Sequence, residues 1–218
     1  MKSSQTFRLL MSVALGLTTL CAVAEDRPFE LYARNHQSAV IAQDVGNYAA
    51  AERWHRKNLE LVDTNPQAPP FTKVQARYYL ANAMVLQGRL DDAEGVLTQA
   101  QALVDANPAT HPIIRAHLQS NWGGLRVRQQ QPKVAVEHLE SALALMKSAT
   151  VPADLLFATT KVELGRALAR LGETAEAEKS YADALKAFAN EGVTDSNPYV
   201  GDSIMEYKRL RKRLGLSD

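Results

Sequence analysis

The chain of 218 residues contains a single cysteine, Cys21, and carries almost no net charge. One thiol cannot close an intramolecular disulfide, so the sequence predicts no disulfide framework. Its 25 basic and 24 acidic side chains give a formal net charge of +1. A protein that binds nucleic acid needs a basic face to neutralise phosphates, and this balance therefore argues against such a partner.

Motifs for catalysis and cofactor binding are also absent from the sequence. It has no glycine-rich phosphate loop, no GxSxG nucleophile elbow and no HExxH pair. His111 and His117 would point to different sides of a helix and would not share a metal ion. We therefore expect no enzymatic activity, no cofactor and no metal site. The enzyme alternative is a hydrolase with clustered ionisable groups of shifted pKa in a cleft.

The N-terminal segment has the three parts of a secretory signal. Lys2 and Arg8 form its basic region, residues 9–20 are apolar, and the small residues at 22–24 form a cleavage site. The apolar run is shorter than the roughly 20 residues that a spanning helix needs. We therefore expect cleavage after Ala24, which removes the only cysteine, and an exported protein of the bacterial periplasm. An uncleaved membrane anchor is the alternative.

Downstream of this segment, one residue pattern recurs with a period of 42 residues. Each copy has an amphipathic segment, a turn and a second apolar stripe with helical spacing. Such a period indicates one helical unit that has been copied and stacked into a solenoid. The glycines are expected at helix ends with positive φ, and the alanines where two helices cross most closely. The period is marked by Ala51, Ala93, Ala135 and Ala177, preceded in three copies by Gly46, Gly88 and Gly172.

These positions resemble the consensus of the tetratricopeptide repeat (TPR) family. The third copy has Gln130 in place of the turn glycine, and the first copy departs most from the consensus. The long period is similar to that of kinesin light chains, because standard TPR repeats have about 34 residues. The resemblance implies an all-α fold, a right-handed α-solenoid of about four helical hairpins plus a C-terminal capping helix. The best match is the fourth copy, with Leu164, Gly165, Leu168, Gly172, Ala177, Tyr181 and Ala184.

The organisation expected from this pattern is a signal peptide at 1–24, repeats over 25–196 and a capping helix with a tail at 197–218. Asn-Pro pairs at 65–66 and 107–108 separate the first repeats, because proline blocks helix continuation. The repeat boundaries lie at about 29–70, 71–111, 112–151 and 152–196. The expected helices are 29–45, 48–63, 71–87, 90–105, 112–129, 132–147, 152–171, 174–190 and 198–214.

The resemblance also implies a ligand-binding groove, because the first helix of each TPR hairpin presents its inner face to peptide ligands. A clamp for a terminal carboxylate is not expected, since its lysines are missing and only Asn82 and Arg166 match it. The three arginines of the groove either grip acidic side chains of a partner or form the solvated side of their helices. Carried over to this chain, the groove residues are His36, Gln43, Tyr78, Asn82, Ser120, Arg128, Arg166 and Arg170, with Val40, Val85, Gly124, Val127, Val162 and Ala169 beside them.

The expected function is therefore a periplasmic adaptor or scaffold that binds a partner protein or an extended peptide. The alternative is a structural subunit of an envelope assembly that acts through self-association or through its basic C-terminal helix. The basic stretch at 208–213 is either the solvated side of a capping helix or a weak contact with an anionic membrane.

Overall fold

The computed structural model describes residues 19–149 and 154–216. Within these ranges the chain forms nine helices and no strand. They are α1 (Thr19–Asp44), α2 (Tyr48–Asp63), α3 (Pro70–Leu86), α4 (Leu90–Asp105), α5 (Pro112–Arg128), α6 (Pro132–Ser148), α7 (Asp154–Leu171), α8 (Thr174–Asn190) and α9 (Pro198–Arg213). None of the helices in the described part of the chain is both long and apolar enough to cross a membrane.

The all-α solenoid expected from the repeat is confirmed, and eight helices agree with the expected ranges to within two residues at each end. Four of these helices start at proline, which suits a first helical position because the missing N–H has no partner there. The exception is α1, which begins at Thr19 rather than at residue 29. Residues 19–24 of the predicted signal peptide thus belong to α1, and residues 1–18 lie outside the described residues.

The turn between the two helices of each hairpin has the same geometry in all four copies. Its glycines have left-handed φ values of +73° at Gly46, +77° at Gly88 and +84° at Gly172. Gln130, which replaces the glycine in the third copy, has φ +59° and keeps the turn. In each copy a backbone N–H reaches back over the turn to the carbonyl five residues earlier, which closes a Schellman motif. These bonds are Asn47 to Ala42 (2.7 Å), Arg89 to Met84 (3.0 Å), Gln131 to Arg126 (2.9 Å) and Glu173 to Leu168 (3.0 Å).

Close contact between the two helices of a hairpin explains the small residues of the repeat. The four period-marking alanines are fully buried. A Cβ added to Gly123 would stand 2.4 Å from Leu139 Cγ, and one added to Gly165 would stand 2.9 Å from Tyr181 Cδ2. The two glycine–neighbour pairs lie one repeat apart, so the same crossing recurs in the third and fourth hairpins.

The hairpins stack in sequence order, and the curvature of the stack brings its two ends together. At the C-terminal end, α9 buries Val200 and Leu210 against the preceding helices. Asn197, the residue before α9, donates a hydrogen bond from Nδ2 to Oδ1 of Asp44, the last residue of α1, at 2.9 Å. The concave side of the solenoid is therefore a groove that is bridged at its mouth.

Candidate functional site

The groove is a cavity of about 390 Å³ that runs across the first helices of all four hairpins. Because α1, α3, α5 and α7 alternate with outer helices in the stack, each of them contributes one side-chain row to the inner surface. The bridge between α1 and α9 closes one side. The principal lining residues are His36, Val40, Gln43, Tyr79, Asn82, Val85, His117, Ser120, Asn121, Gly124, Arg128, Leu155, Thr159, Glu163, Asn197 and Tyr199.

Three histidines and two tyrosines form the floor of the groove near its N-terminal end. Tyr79 lies at the centre, with its ring centroid 4.4 Å from that of His36 and 5.5 Å from that of His55. His117 stacks on Tyr78 with centroids 4.9 Å apart and an interplanar angle of 4°. We call these five residues the histidine–tyrosine cluster. His36, Tyr79 and His117 reach the cavity, whereas His55 and Tyr78 lie beneath it.

Burial keeps the histidine–tyrosine cluster uncharged at neutral pH. Removal from water, together with the smaller effect of the neighbouring His36, lowers the pKa of His55 and of His117 to about 4. Burial also lowers the pKa of His36 and raises that of Tyr79. Neither ring nitrogen of His55 has a hydrogen-bond partner in the described part of the chain. This end of the groove thus offers aromatic faces without charge.

Polar side chains without charge occupy the middle of the groove. Asn82 is half-buried, and its amide makes no hydrogen bond with any described residue. Asn121 donates to the backbone carbonyl of His117 at 2.8 Å, and the Ser120 hydroxyl lies 2.8 Å from Thr160 Oγ1. An amide such as that of Asn82 can donate to one peptide carbonyl and accept from one peptide N–H.

The C-terminal part of the groove contains charges, but they are paired with one another. Glu163 accepts from Arg166 at 2.7 Å, from Arg128 at 3.2 Å and from the Tyr199 hydroxyl at 3.1 Å. Arg166 also donates to Glu206 of α9 at 2.8 Å. Burial alone would favour the neutral acid, yet the charges of Arg166 and Arg128 hold the pKa of Glu163 below its usual value. The charges thus cancel within the wall, leaving no net charge to attract an acidic ligand.

The structure brings five of the eight predicted groove residues together. The five at the cavity are His36, Gln43, Asn82, Ser120 and Arg128. Tyr78 is fully buried instead, because its ring packs under Tyr79 and His117. Arg166 is 91% buried within its ion pairs, and Arg170 donates to the Val127 carbonyl outside the cavity. Of the three predicted groove arginines, Arg128 and Arg166 therefore belong to a neutralised network with Glu163 and Glu206, and Arg170 lies outside the cavity.

The expectation missed Asn121, which lines the cavity at the same repeat position as Tyr79 and Glu163. The three stand 42 residues apart and one residue beyond the series 78, 120 and 162 used for the prediction. The same period, applied one residue later, would have found Asn121. Asn197 and Tyr199 have no such signal, since they enter the groove from the capping helix.

No cluster in the described residues has the arrangement of a metal centre. No group of three histidine, cysteine, aspartate or glutamate side chains in those ranges could hold a metal ion. The one buried carboxylate of the groove, Glu163, is held ionised by two arginines. The arrangement is thus suited to holding a ligand by surface contact and hydrogen bonds.

Comparison with known proteins bears on the fold. Two family models described as tetratricopeptide repeat match the chain, one over residues 74–106 and the other over residues 114–190. Among curated proteins, none matches the sequence significantly. The crystal structure of BtubC (BKLC) from P. vanneervenii is similar, with a TM-score of 0.53 and 16% sequence identity over 99% of this chain and 94% of that chain.

Proposed function

We propose that the groove binds an extended, uncharged segment of a partner protein. The chain belongs to the tetratricopeptide repeat family, whose repeats generally act as non-catalytic scaffolds for protein interaction. The observation that carries the proposal is the free amide of Asn82, which lies half-buried between the aromatic floor and the neutralised wall. The amide reaches the cavity and has no partner among the described residues, so it can donate to one peptide carbonyl and accept from one peptide N–H.

The proposal of an uncharged ligand rests on the pairing of the groove's own charges. Glu163 engages Arg128 and Arg166, and Glu206 engages Arg166 as well. An acidic or basic ligand side chain would have to break one of these pairs or enter an aromatic surface without a counter-charge. Amide hydrogen bonds together with contacts to Tyr79 and Leu155 suit a neutral segment with apolar or aromatic side chains instead.

We test this proposal with a library of random peptides displayed on phage, selected against the purified protein at pH 7. Peptides recovered from the library are then measured by calorimetry against Asn82→Ala and Gln99→Ala. Gln99 is an exposed amide on the outer helix α4 and serves as the matched control. Loss of one or two hydrogen bonds worth about 1 kcal/mol each should weaken binding to Asn82→Ala roughly tenfold. Equal affinities for the two variants, or no enriched peptide at all, would count against the groove.

Export to the periplasm is part of the same proposal. It is supported by the basic, apolar and small-residue parts of the N-terminal segment. Expression of the full chain in a bacterium with a secretion pathway should yield a periplasmic protein whose first residue is Glu25. Recovery of the intact chain from the membrane fraction would favour the uncleaved anchor.

A second candidate function is supported by the outer face of α9. Lys208, Arg209, Lys212 and Arg213 make no hydrogen bond or ion pair with the described residues, and the nearby Met205 is 51% exposed. Such a face suits a structural subunit that touches an anionic membrane, to which each cation contributes about 1 kcal/mol at most. Flotation with vesicles containing phosphatidylglycerol, compared with neutral vesicles at low and high salt, tests this candidate. Equal recovery with both vesicle types would reject it.

A further inference from the structure

The histidine–tyrosine cluster joins the first hairpin to the rest of the solenoid. His36 belongs to α1 and His55 to α2, whereas Tyr78 and Tyr79 belong to α3 and His117 to α5. The centroids of His36 and His55 are 6.0 Å apart, and those of Tyr79 and His117 are 6.2 Å apart. The rings therefore form one continuous network of stacked, tilted and edge-on contacts across the seam between the first hairpin and its neighbours.

Nothing in the network can balance a positive charge. The titratable groups in ring contact with the histidines are Tyr78 and Tyr79 of α3, with Tyr32 of α1 beside the tyrosines, and burial raises the pKa of each tyrosine. No carboxylate of the described residues contributes to the pKa of His36, His55 or His117. A proton taken up by one imidazole would thus be a buried charge without a partner, and a second proton would repel the first.

The apolar contacts at the same seam are small. Two small clusters pack there: Ala39, Ala42, Ala51 and Ala83 with Ala50 and Trp54 at the edge, and Val62, Ala68 and Ala76 with Tyr32 and Leu59. The later hairpins instead share extended clusters rich in leucine, valine and aromatic side chains. The first hairpin is therefore held by small apolar clusters together with the ion pairs of Glu52 with Arg89 and of Asp63 with Arg77.

We propose that the histidine–tyrosine cluster is an acid-operated release device, in which proton uptake by His36, His55 and His117 separates α1 and α2 from α3 and opens the groove. The inference rests on the proposed function in one respect, because the groove wall formed by His36, Val40 and Gln43 belongs to α1. Separation of that helix removes one wall of the cavity and releases its occupant.

The direction of the pH effect follows from the lowered pKa values. The open state exposes the imidazoles, whose pKa returns to about 6.5, while the closed state holds His55 and His117 at about 4. The open state therefore binds more protons between these two values, and closure is lost as the pH falls from about 6.5 towards 4. Above about 6.5 both states are neutral and the groove stays closed.

Hydrogen exchange measured by mass spectrometry on the full chain without ligand tests the device. After correction for the intrinsic pH dependence of exchange, amides of residues 29–63 should exchange at least tenfold faster at pH 5 than at pH 7. Amides of α8 provide the internal reference and should keep their protection. The His55→Phe/His117→Phe variant keeps five rings in the cluster but leaves His36 as its only imidazole, and it should lose most of the acid response.

Two further variants separate the device from unrelated effects. His138→Gln changes a half-buried histidine that lies outside the cluster, beside Trp122, and should leave the acid response unchanged. His36→Gln removes one groove histidine and should reduce the response even if the double variant folds poorly. Equal exchange of residues 29–63 at both pH values in the unaltered protein, or an undiminished response in His36→Gln, would overturn the inference.

Ligand release is measured separately with a peptide selected from the phage library. The unaltered protein should release the peptide at pH 5, and His36→Gln should retain more of it. If no peptide binds the groove, the exchange experiment still shows whether α1 and α2 separate from α3 at low pH. If exchange shows no opening while peptides bind as proposed, the device is rejected and the groove stands.

Discussion

Asn197 donates a hydrogen bond to Asp44 over 2.9 Å and thereby joins residues that are 153 positions apart in the chain. The same side chain caps α9, because its oxygen accepts from the N–H groups of Tyr199 at 3.0 Å and Val200 at 3.3 Å. Close by, Pro198 Cγ lies 3.6 Å from the place where a Cβ on Gly46 would stand. One residue therefore both begins the capping helix and bridges the groove.

Asp44→Ala should open this bridge while leaving the cap of α9 intact. Spin labels at Gln37 and Asp202, both exposed, report the distance between α1 and α9 by pulsed electron resonance in a Cys21→Ser background. We expect a broader distribution with longer distances in Asp44→Ala, and an unfolding free energy that changes by less than about 0.5 kcal/mol. The control, Glu30→Ala on α1, should match the unaltered protein. An unchanged distribution in Asp44→Ala would show that the bridge does not hold the groove.

Gln130→Gly should stabilise the protein, because Gln130 has φ +59° where the other repeats have glycine. A left-handed conformation costs a residue with a Cβ about 1–2 kcal/mol, and the extra freedom of glycine in the unfolded chain offsets about half of that. We expect a net gain of about 0.5–1 kcal/mol in urea unfolding. The reverse change, Gly88→Gln, should cost a similar amount. A loss of stability in Gln130→Gly would mean that its side chain contributes more than its backbone costs.

Two adjacent glycines of α5 should respond in opposite ways to alanine. A Cβ on Gly123 would clash with Leu139 Cγ at 2.4 Å, whereas a Cβ on Gly124 would find Glu163 Cγ at an acceptable 3.8 Å. Gly123→Ala should destabilise the protein by about 1–3 kcal/mol through overpacking. Gly124→Ala should be neutral or stabilising by up to about 1 kcal/mol, because alanine favours helix. Thermal unfolding of both variants measures the difference, and equal melting temperatures would contradict the close crossing of α5 and α6.

Removal of Arg166 should be costly, because it leaves the buried Glu163 with fewer counter-charges. We expect Arg166→Ala to lose about 3–5 kcal/mol at pH 7. The control Arg170→Ala, which loses a bond to the Val127 carbonyl at an exposed position, should lose about 1 kcal/mol. Urea unfolding measures both variants.

The pH dependence of the Arg166→Ala effect has a definite sign. In the unaltered protein the pKa of Glu163 is lowered, so its contribution is present above about pH 4.3 and is lost as the pH falls further. In the variant, Glu163 can take up a proton readily, and the difference between the two proteins should shrink on acidification. A difference that stays constant from pH 7 to pH 3.5 would mean that the cost is one of packing alone.

The repeat period predicts the helices and the turns of this fold well, because each depends on residues close together in sequence. Even Gln130 adopts the turn geometry that its position in the period predicts. The exception is α1, which is helical from Thr19 although Pro28 lies within it, and no sequence pattern accounts for this early start.

The groove was harder to predict, because its surface depends on the rotation of each helix and on contacts between distant residues. Tyr78 and Tyr79 are neighbours in the sequence, yet Tyr78 is buried and Tyr79 lines the groove. Arg166 is withdrawn from the groove by Glu206, 40 residues later, and the bridge from Asn197 to Asp44 spans 153 residues. No local pattern carries information on such pairs, so their charges cannot be assigned to a ligand or to the fold from sequence alone.

The central claim, that a neutral segment binds in the groove, is tested most directly by locating the bound peptide. A phage-selected peptide carrying benzoylphenylalanine at its centre is cross-linked to the protein at pH 7, and mass spectrometry identifies the attached residues. We expect attachment on the inner faces of α1, α3 and α5, around Asn82 and Asn121. Attachment on the outer helices α4 and α6, or on the basic end of α9, would contradict the claim.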